Sequence, residues 1–232
     1  MAVTVTFHAQ TYDTTALTTY SFASQAIGTA AADRYVVVGV HGIDNASAFN
    51  VASMTIGGVA AAAITGAAVA RGNEEVEFWY ALVTSGTTAT ISITFSEQMA
   101  VGCDIAVWSV TGWTGAAAPT DTLVVTTGTD FTGTIDCDAG GAIIAMTVFQ
   151  VALTEDKTAA WTGLTEDFDF HVADVNSQNS SGAHENFASA QVGLTVTCDW
   201  SGTGTTAGVA FSLPPTAAAA RRRGRQIYFQ FN

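Results

Sequence analysis

The stretch EVEFWYALVTSGTTATISITFSEQMAVGCDIAVWSVT, Glu75 to Thr111, decides the fold. In Ala89, Ile91, Ile93 and Phe95 the apolar residues occupy every second position, with Thr90, Ser92 and Thr94 between them. Successive strand side chains point to opposite faces, so this segment buries one face and presents hydroxyls on the other. Val76, Phe78, Tyr80 and Leu82 alternate with Glu77, Trp79 and Ala81 in the same way. Ser85-Gly86, between the two, has hairpin-loop chemistry. Cys103 to Val110 is apolar on both faces except at Asp104 and Ser109, as in a strand at the middle of a sheet covered on both sides. Three consecutive antiparallel strands are expected here, and a fainter version of the last two recurs at 192–213.

Similar patterns extend in both directions. Val3, Val5 and Phe7 open a first strand, and Thr18 to Phe22 form a second. Tyr35 to Val40 and Gly141 to Phe149 are continuous apolar runs of the central-strand type. Val51 to Ile56 and Val59 to Ile64 flank Gly57-Gly58, a pair suited to a turn that needs positive φ. Thr158 to Phe170 reads as a hairpin region, and His184 to Ala190 as a strand. Thr111 to Thr120 has no period and reads as a crossover or linker. The expected fold is an all-β, jelly-roll-like β-sandwich spanning residues 1–213 as one body.

The spacing points to an internal duplication. Val37 and Ile91 in one half match Ile143 and Leu194 in the other, and each pair is followed by a second apolar strand, at Ile105/Val107 and Val209/Phe211. The repeat halves are read as 18–112 and 131–213.

Residues 214–232 form a different kind of segment. Pro214 and Pro215 stop the last strand, because proline cannot donate to a ladder. A run of alanines leads to Arg221, Arg222, Arg223 and Arg225, followed by the apolar residues Ile227, Tyr228, Phe229 and Phe231. An extended basic-aromatic tail of this sort can add to the sheet edge of a neighbouring subunit, so these eight residues are the candidate partner-docking set.

Charged residues make up 12% of the chain, against roughly 25% in an ordinary soluble domain. Threonine, serine and glycine take over the solubilising role, which fits a subunit packed among others or a stable extracellular β protein. The net charge is −13, and without the four tail arginines 3 basic residues face 20 acidic ones. Such a body is a poor match for nucleic acid. Cys103, Cys137 and Cys198 are odd in number and lack C-x-x-C spacing, so they read as buried thiols, not a metal site. No secretory leader or membrane-spanning run is visible, and synthesis in a cytoplasm is expected.

No catalytic or metal-binding constellation stands out. His8, His41, His171 and His184 are scattered, no serine sits in a Gly-x-Ser-x-Gly elbow, and the acidic runs give no recognisable glycosidase pair. The chain is expected to be neither an enzyme nor a cofactor binder. Trp161 and Trp200 lie beside turn residues, and with Glu166, Asp167 and Asp169 they form the candidate surface for a glycan. Packing within the core is the competing reading for both tryptophans.

The segments RYVVVGVHG (Arg34–Gly42), VASMTIGGVAA (Val51–Ala61), GCDIAVWSVTG (Gly102–Gly112) and TTAGVAFSLPP (Thr205–Pro215) resemble a widespread type of virion protein encoded by tailed bacteriophages and prophages. The resemblance covers most of 18–215 and implies a Thr/Ala/Gly-rich β-sandwich assembled inside the host cell. It implies a head decoration, head fibre or tail-associated subunit. Such a subunit is expected to contact other virion proteins and itself, with a trimer favoured. It carries over no functional residues. A carbohydrate-binding module for host attachment is the alternative.

Overall fold

The structure, a computed structural model, describes residues 1–44, 49–72, 74–115, 118–150, 156–172 and 178–216. These residues form strands and no helix. The first half contributes β1 (Thr4–Asp13), β2 (Leu17–Ala26), β3 (Tyr35–Ile43), β4 (Val51–Ile56), β5 (Val59–Ala60), β6 (Ala62–Arg71), β7 (Glu74–Leu82), β8 (Thr88–Met99) and β9 (Gly102–Thr111). The second contributes β10 (Thr122–Val125), β11 (Phe131–Cys137), β12 (Ala142–Gln150), β13 (Ala159–Thr162), β14 (Thr165–Val172), β15 (Gln178–Asn186), β16 (Gln191–Trp200) and β17 (Thr205–Leu213).

The strands pair in nested order. In the first half β1 pairs with β9, β2 with β8 and β3 with β7, all antiparallel. This is the wrapping of a long folded hairpin around a barrel axis, the jelly-roll arrangement. It divides the half into an inner sheet, β1-β9-β3-β7-β6, and an outer sheet, β2-β8-β4-β5. The second half gives an inner sheet, β10-β17-β12-β15-β14, and an outer sheet, β11-β16-β13. Apart from the two-residue β5, each strand of one half has a counterpart in the other at the same place in the same order.

Val37 and Ile143 lie on the equivalent strands β3 and β12, and Ile91 and Leu194 on β8 and β16. The repeated unit runs from Thr4 to Thr111 and from Thr122 to Leu213, so it includes β1 and β10 as well as the strands inside 18–112 and 131–213.

Four sheets stack as outer, inner, inner, outer, with three apolar layers between them. The two outer layers are the cores of the individual sandwiches. The middle layer joins the sandwiches: Val37, Phe78, Trp108 and Val110 on one inner sheet meet Ile144, Met146, Val209 and Phe211 on the other. Gly39 permits a close approach, since a Cβ there would stand 2.9 Å from Met146 Sδ on the facing sheet and from the Phe78 ring. The continuous apolar runs of β3, β9, β12 and β17 follow from this arrangement, since both faces of each are covered. β8 has one solvated face: Ile91 and Ile93 are fully buried while Thr88 and Thr90 are exposed.

Three local expectations change. β7, β8 and β9 follow one another in the chain but are not neighbours: β7 and β9 flank β3 in the inner sheet, and β8 lies in the outer one. Ser85-Gly86 is therefore a crossing between sheets, not a hairpin loop. β13 and β14 likewise fall in different sheets, and the strand expected at 184–190 runs instead over Gln178–Asn186. The Gly57-Gly58 turn does close a hairpin between β4 and β5, with φ of 60° and 79°.

Arg34 holds the β7–β8 crossing. Its side chain is buried and donates to the carbonyls of Val83 (2.8 Å), Gly28 (2.7 Å), Gly86 (3.0 Å) and Ser85 (2.8 Å). Carbonyls in a tight crossing have no ladder partner, and the five N–H donors of a guanidinium satisfy several at once. Replacing Arg34 with Met strands these acceptors and is expected to lower the unfolding free energy by about 3 kcal/mol, read by urea denaturation. A loss below about 1 kcal/mol would show that water replaces the guanidinium freely.

Candidate functional site

The acidic segment on β14 contains a β-bulge. Glu166 pairs with Ala183 and Phe168 with Gly182, which leaves Asp167 as the extra residue. A bulge re-aims the side chain it carries. Asp167 turns into the layer between the sandwiches, where Trp108 Nε1 donates to its Oδ2 (2.7 Å) and His184 Nδ1 donates to its Oδ1 (2.7 Å). A carboxylate can only accept, so the proton on His184 sits at Nδ1. Trp108 is fully buried, and Asp167 supplies the partner for its indole N–H.

The other members of the proposed glycan surface are placed differently. Trp200 is 3% exposed and stacks on Phe149 at 5.2 Å, so it belongs to the second sandwich core, not to the surface. Trp161 is half-buried; its Nε1 donates to Ser181 Oγ (2.8 Å) and its ring tilts against Phe131. Asp169 accepts from the Ala159 amide (3.0 Å), and burial holds its carboxyl above the usual range. Glu166 is exposed, and partial burial together with Asp169 and Asp167 raises it as well. The geometry thus leaves Trp161, Glu166 and Asp169 at the surface and takes Trp200 and Asp167 into the interior. The eight docking residues, Arg221, Arg222, Arg223, Arg225, Ile227, Tyr228, Phe229 and Phe231, lie outside the described residues.

A buried polar trio escaped the sequence reading. Asp104 on β9 accepts from Ser180 Oγ (2.5 Å) and lies 3.2 Å from His41 Nδ1, and all three residues are at most 2% exposed. Serine bonds to the aspartate and histidine only lies beside it, so the nucleophile–base contact of a hydrolytic triad is missing. The trio instead ties β3 and β9 of one sandwich to β15 of the other. Nearby, Arg71 bonds Glu74 at 2.5 Å and reaches Thr205 and Gln150 (3.3 Å) across the same boundary. His41 and Asp104 are cross-strand partners on β3 and β9, and the stacking of the two halves brings Ser180 to them.

Cys103, Cys137 and Cys198 are free and buried, and burial pushes all three thiols up, Cys137 to about 11. Thiols raised in this way are poor nucleophiles and poor ligands. Among the described residues no group of three His, Cys, Asp or Glu side chains is placed to hold a metal ion.

A concavity lies along β6 and the segment that follows β9. It is a half-open groove of about 100 Å³ lined by Ala63, Ile64, Thr65, Tyr80, Trp113, Gly115, Ala118 and Pro119. Trp113 anchors it, with ring centroids 5.1 Å from Tyr35 and 4.9 Å from Tyr80. Trp113 is 2% exposed, and its Nε1 has no hydrogen-bond partner among the described residues. Gly115 passes so close to Tyr35 that a Cβ would lie 2.3 Å from the ring, and Tyr35 Oη donates to the Thr114 carbonyl (2.7 Å). A linker without periodicity gave no sign that its tryptophan would be a packing centre.

Two predictions follow from this buried chemistry. Asp167→Ala leaves a buried indole N–H unpaired and is expected to cost about 1–3 kcal/mol in urea unfolding. Glu75, 8% exposed, is raised by burial and by Glu77 from 4.5 to about 8. Its contribution to stability is therefore complete below its unfolded value and lost as pH rises through the folded one. Stability should fall between about pH 4.5 and 8 by on the order of 3 kcal/mol, and Glu75→Gln should flatten that slope. Parallel profiles for the two proteins would remove Glu75 as the cause.

Comparison with protein-family models, with curated proteins and with solved structures finds no match for this chain.

Proposed function

We propose that the chain is a structural subunit of a phage particle, a head decoration, head fibre or tail-associated protein that self-associates and docks through residues 214–232. The observation that carries this reading is how the body and the tail are joined. The amino group of Met1 donates to Thr216 Oγ1 (2.9 Å), and the Thr216 amide donates to the Gly112 carbonyl (2.9 Å). The basic-aromatic segment therefore starts from a fixed point on a four-layer block. A rigid body with a tether rooted at one place suits a part that is held on a larger assembly.

Composition supports the same reading. A body with few charges and outer sheets faced by threonine and serine, such as Thr19 bonded to Thr94 and Thr132 bonded to Thr197, keeps dissolved without strong long-range fields. The resemblance in the Arg34–Gly42, Val51–Ala61, Gly102–Gly112 and Thr205–Pro215 segments supplies the particle context.

Native mass by light scattering tests the assembly role of the tail. The full chain is expected to be an oligomer, with a trimer favoured, and a chain ending at Thr216 a monomer. Equal masses for the two would overturn that role. An oligomer that persists without residues 217–232 would move self-association to the body.

A further inference from the structure

The serine–histidine contact that the buried trio lacks is made elsewhere, between β1 and β9. Their register passes from Phe7↔Trp108 to Ala9↔Val107, which leaves His8 as the extra residue of a bulge. A bulge re-aims the side chain it carries, and here the imidazole meets a hydroxyl. His8 Nε2 lies 2.8 Å from Ser109 Oγ, and both residues are half-buried, so solvent reaches them. A hydroxyl within hydrogen-bond reach of an imidazole is the arrangement that activates a serine.

Two neighbours suit the pair to this chemistry. Gly28, between β2 and β3, passes close to it: a Cβ there would stand 2.5 Å from His8 Nε2 and 3.2 Å from Ser109 Oγ, and the φ of Gly28 is 77°. Glycine at this place keeps a side chain off the serine oxygen. Arg34, which donates to the Gly28 carbonyl, supplies the charge that acts on His8. Burial, and then the Arg34 charge, hold the imidazole below its ordinary value of 6.5, so at neutral pH it is the free base. The same positive charge favours an oxyanion that forms beside it.

We propose that Ser109 is a nucleophile, activated by His8, that takes an acyl group from an activated ester. In this step Ser109 Oγ bonds the carbonyl carbon, and the bond from that carbon to the leaving oxygen breaks. The serine proton passes to His8 Nε2 and from there to the leaving oxygen. The alcohol departs and the acyl group stays on Ser109 as an ester, which water can later release. Nothing is oxidised or reduced. The site lies in the body, so it stands apart from the tail and from the self-association proposed above.

The test treats the full chain with p-nitrophenyl acetate across the acid-to-neutral range, quenches in acid and maps acetylated residues by mass spectrometry. Ser109 is expected to acetylate about 100-fold faster than the exposed Ser53 and Ser85, the scale of general base catalysis. Its rate should fall as pH drops through a midpoint below 6.5, where His8 takes up a proton. His8→Gln keeps a polar partner for Ser109 but removes the base, and should bring Ser109 down to the rate of Ser53 and Ser85. Acetylation of Ser109 no faster than theirs, or a rate unchanged in His8→Gln, would overturn the proposal. If circular dichroism shows that His8→Gln does not fold, the unaltered chain decides: a pH profile for Ser109 that parallels those of Ser53 and Ser85 rejects His8 as the base.

Discussion

The layer between the two inner sheets is the constraint on which the rest of the molecule depends. β3, β9, β12 and β17 each carry apolar side chains on both faces, and a lone sandwich would leave half of them in water. Burying a side chain of this size contributes roughly 1.5–3 kcal/mol, so the middle layer is comparable in weight to the core of either sandwich. Close approach is needed for this to work, and Gly39, with Phe78 and Met146 filling the space over it, provides it.

Polar groups within that layer set how the halves meet. Apolar surfaces are tolerant of sliding, whereas a buried carboxylate must find its donors. Asp104 with His41 and Ser180, Asp167 with Trp108 and His184, and Arg71 with Glu74 and Gln150 all lie at or across the boundary. Each would be costly if the sheets shifted by one residue. These groups connect one half to the other.

Alternation and apolar runs were legible because they report only which face of a strand meets water. Ala89 to Phe95 alternate, and the residues of β8 are buried and exposed in that same order. Partners were not legible. A crossing such as 83–87 has the length and glycine content of a hairpin loop, so β7 and β8 read as neighbours although they occupy different sheets. The buried role of Arg34 was hidden for a similar reason, since its acceptors are backbone carbonyls that leave no pattern in side chains.

The sequence by itself determined the all-β class, the approximate strands, and the central position of β3, β9 and β12, because these follow from periodicities of two and from runs buried on both faces. Tertiary structure alone decided that the halves stack inner sheet to inner sheet, that Trp200 and Asp167 belong to the interior, and that Trp113 lines a groove. The physical reason is range. Periodicity is local to a strand, while nested pairing and the union of residues such as 41, 104 and 180 depend on contacts between distant parts of the chain.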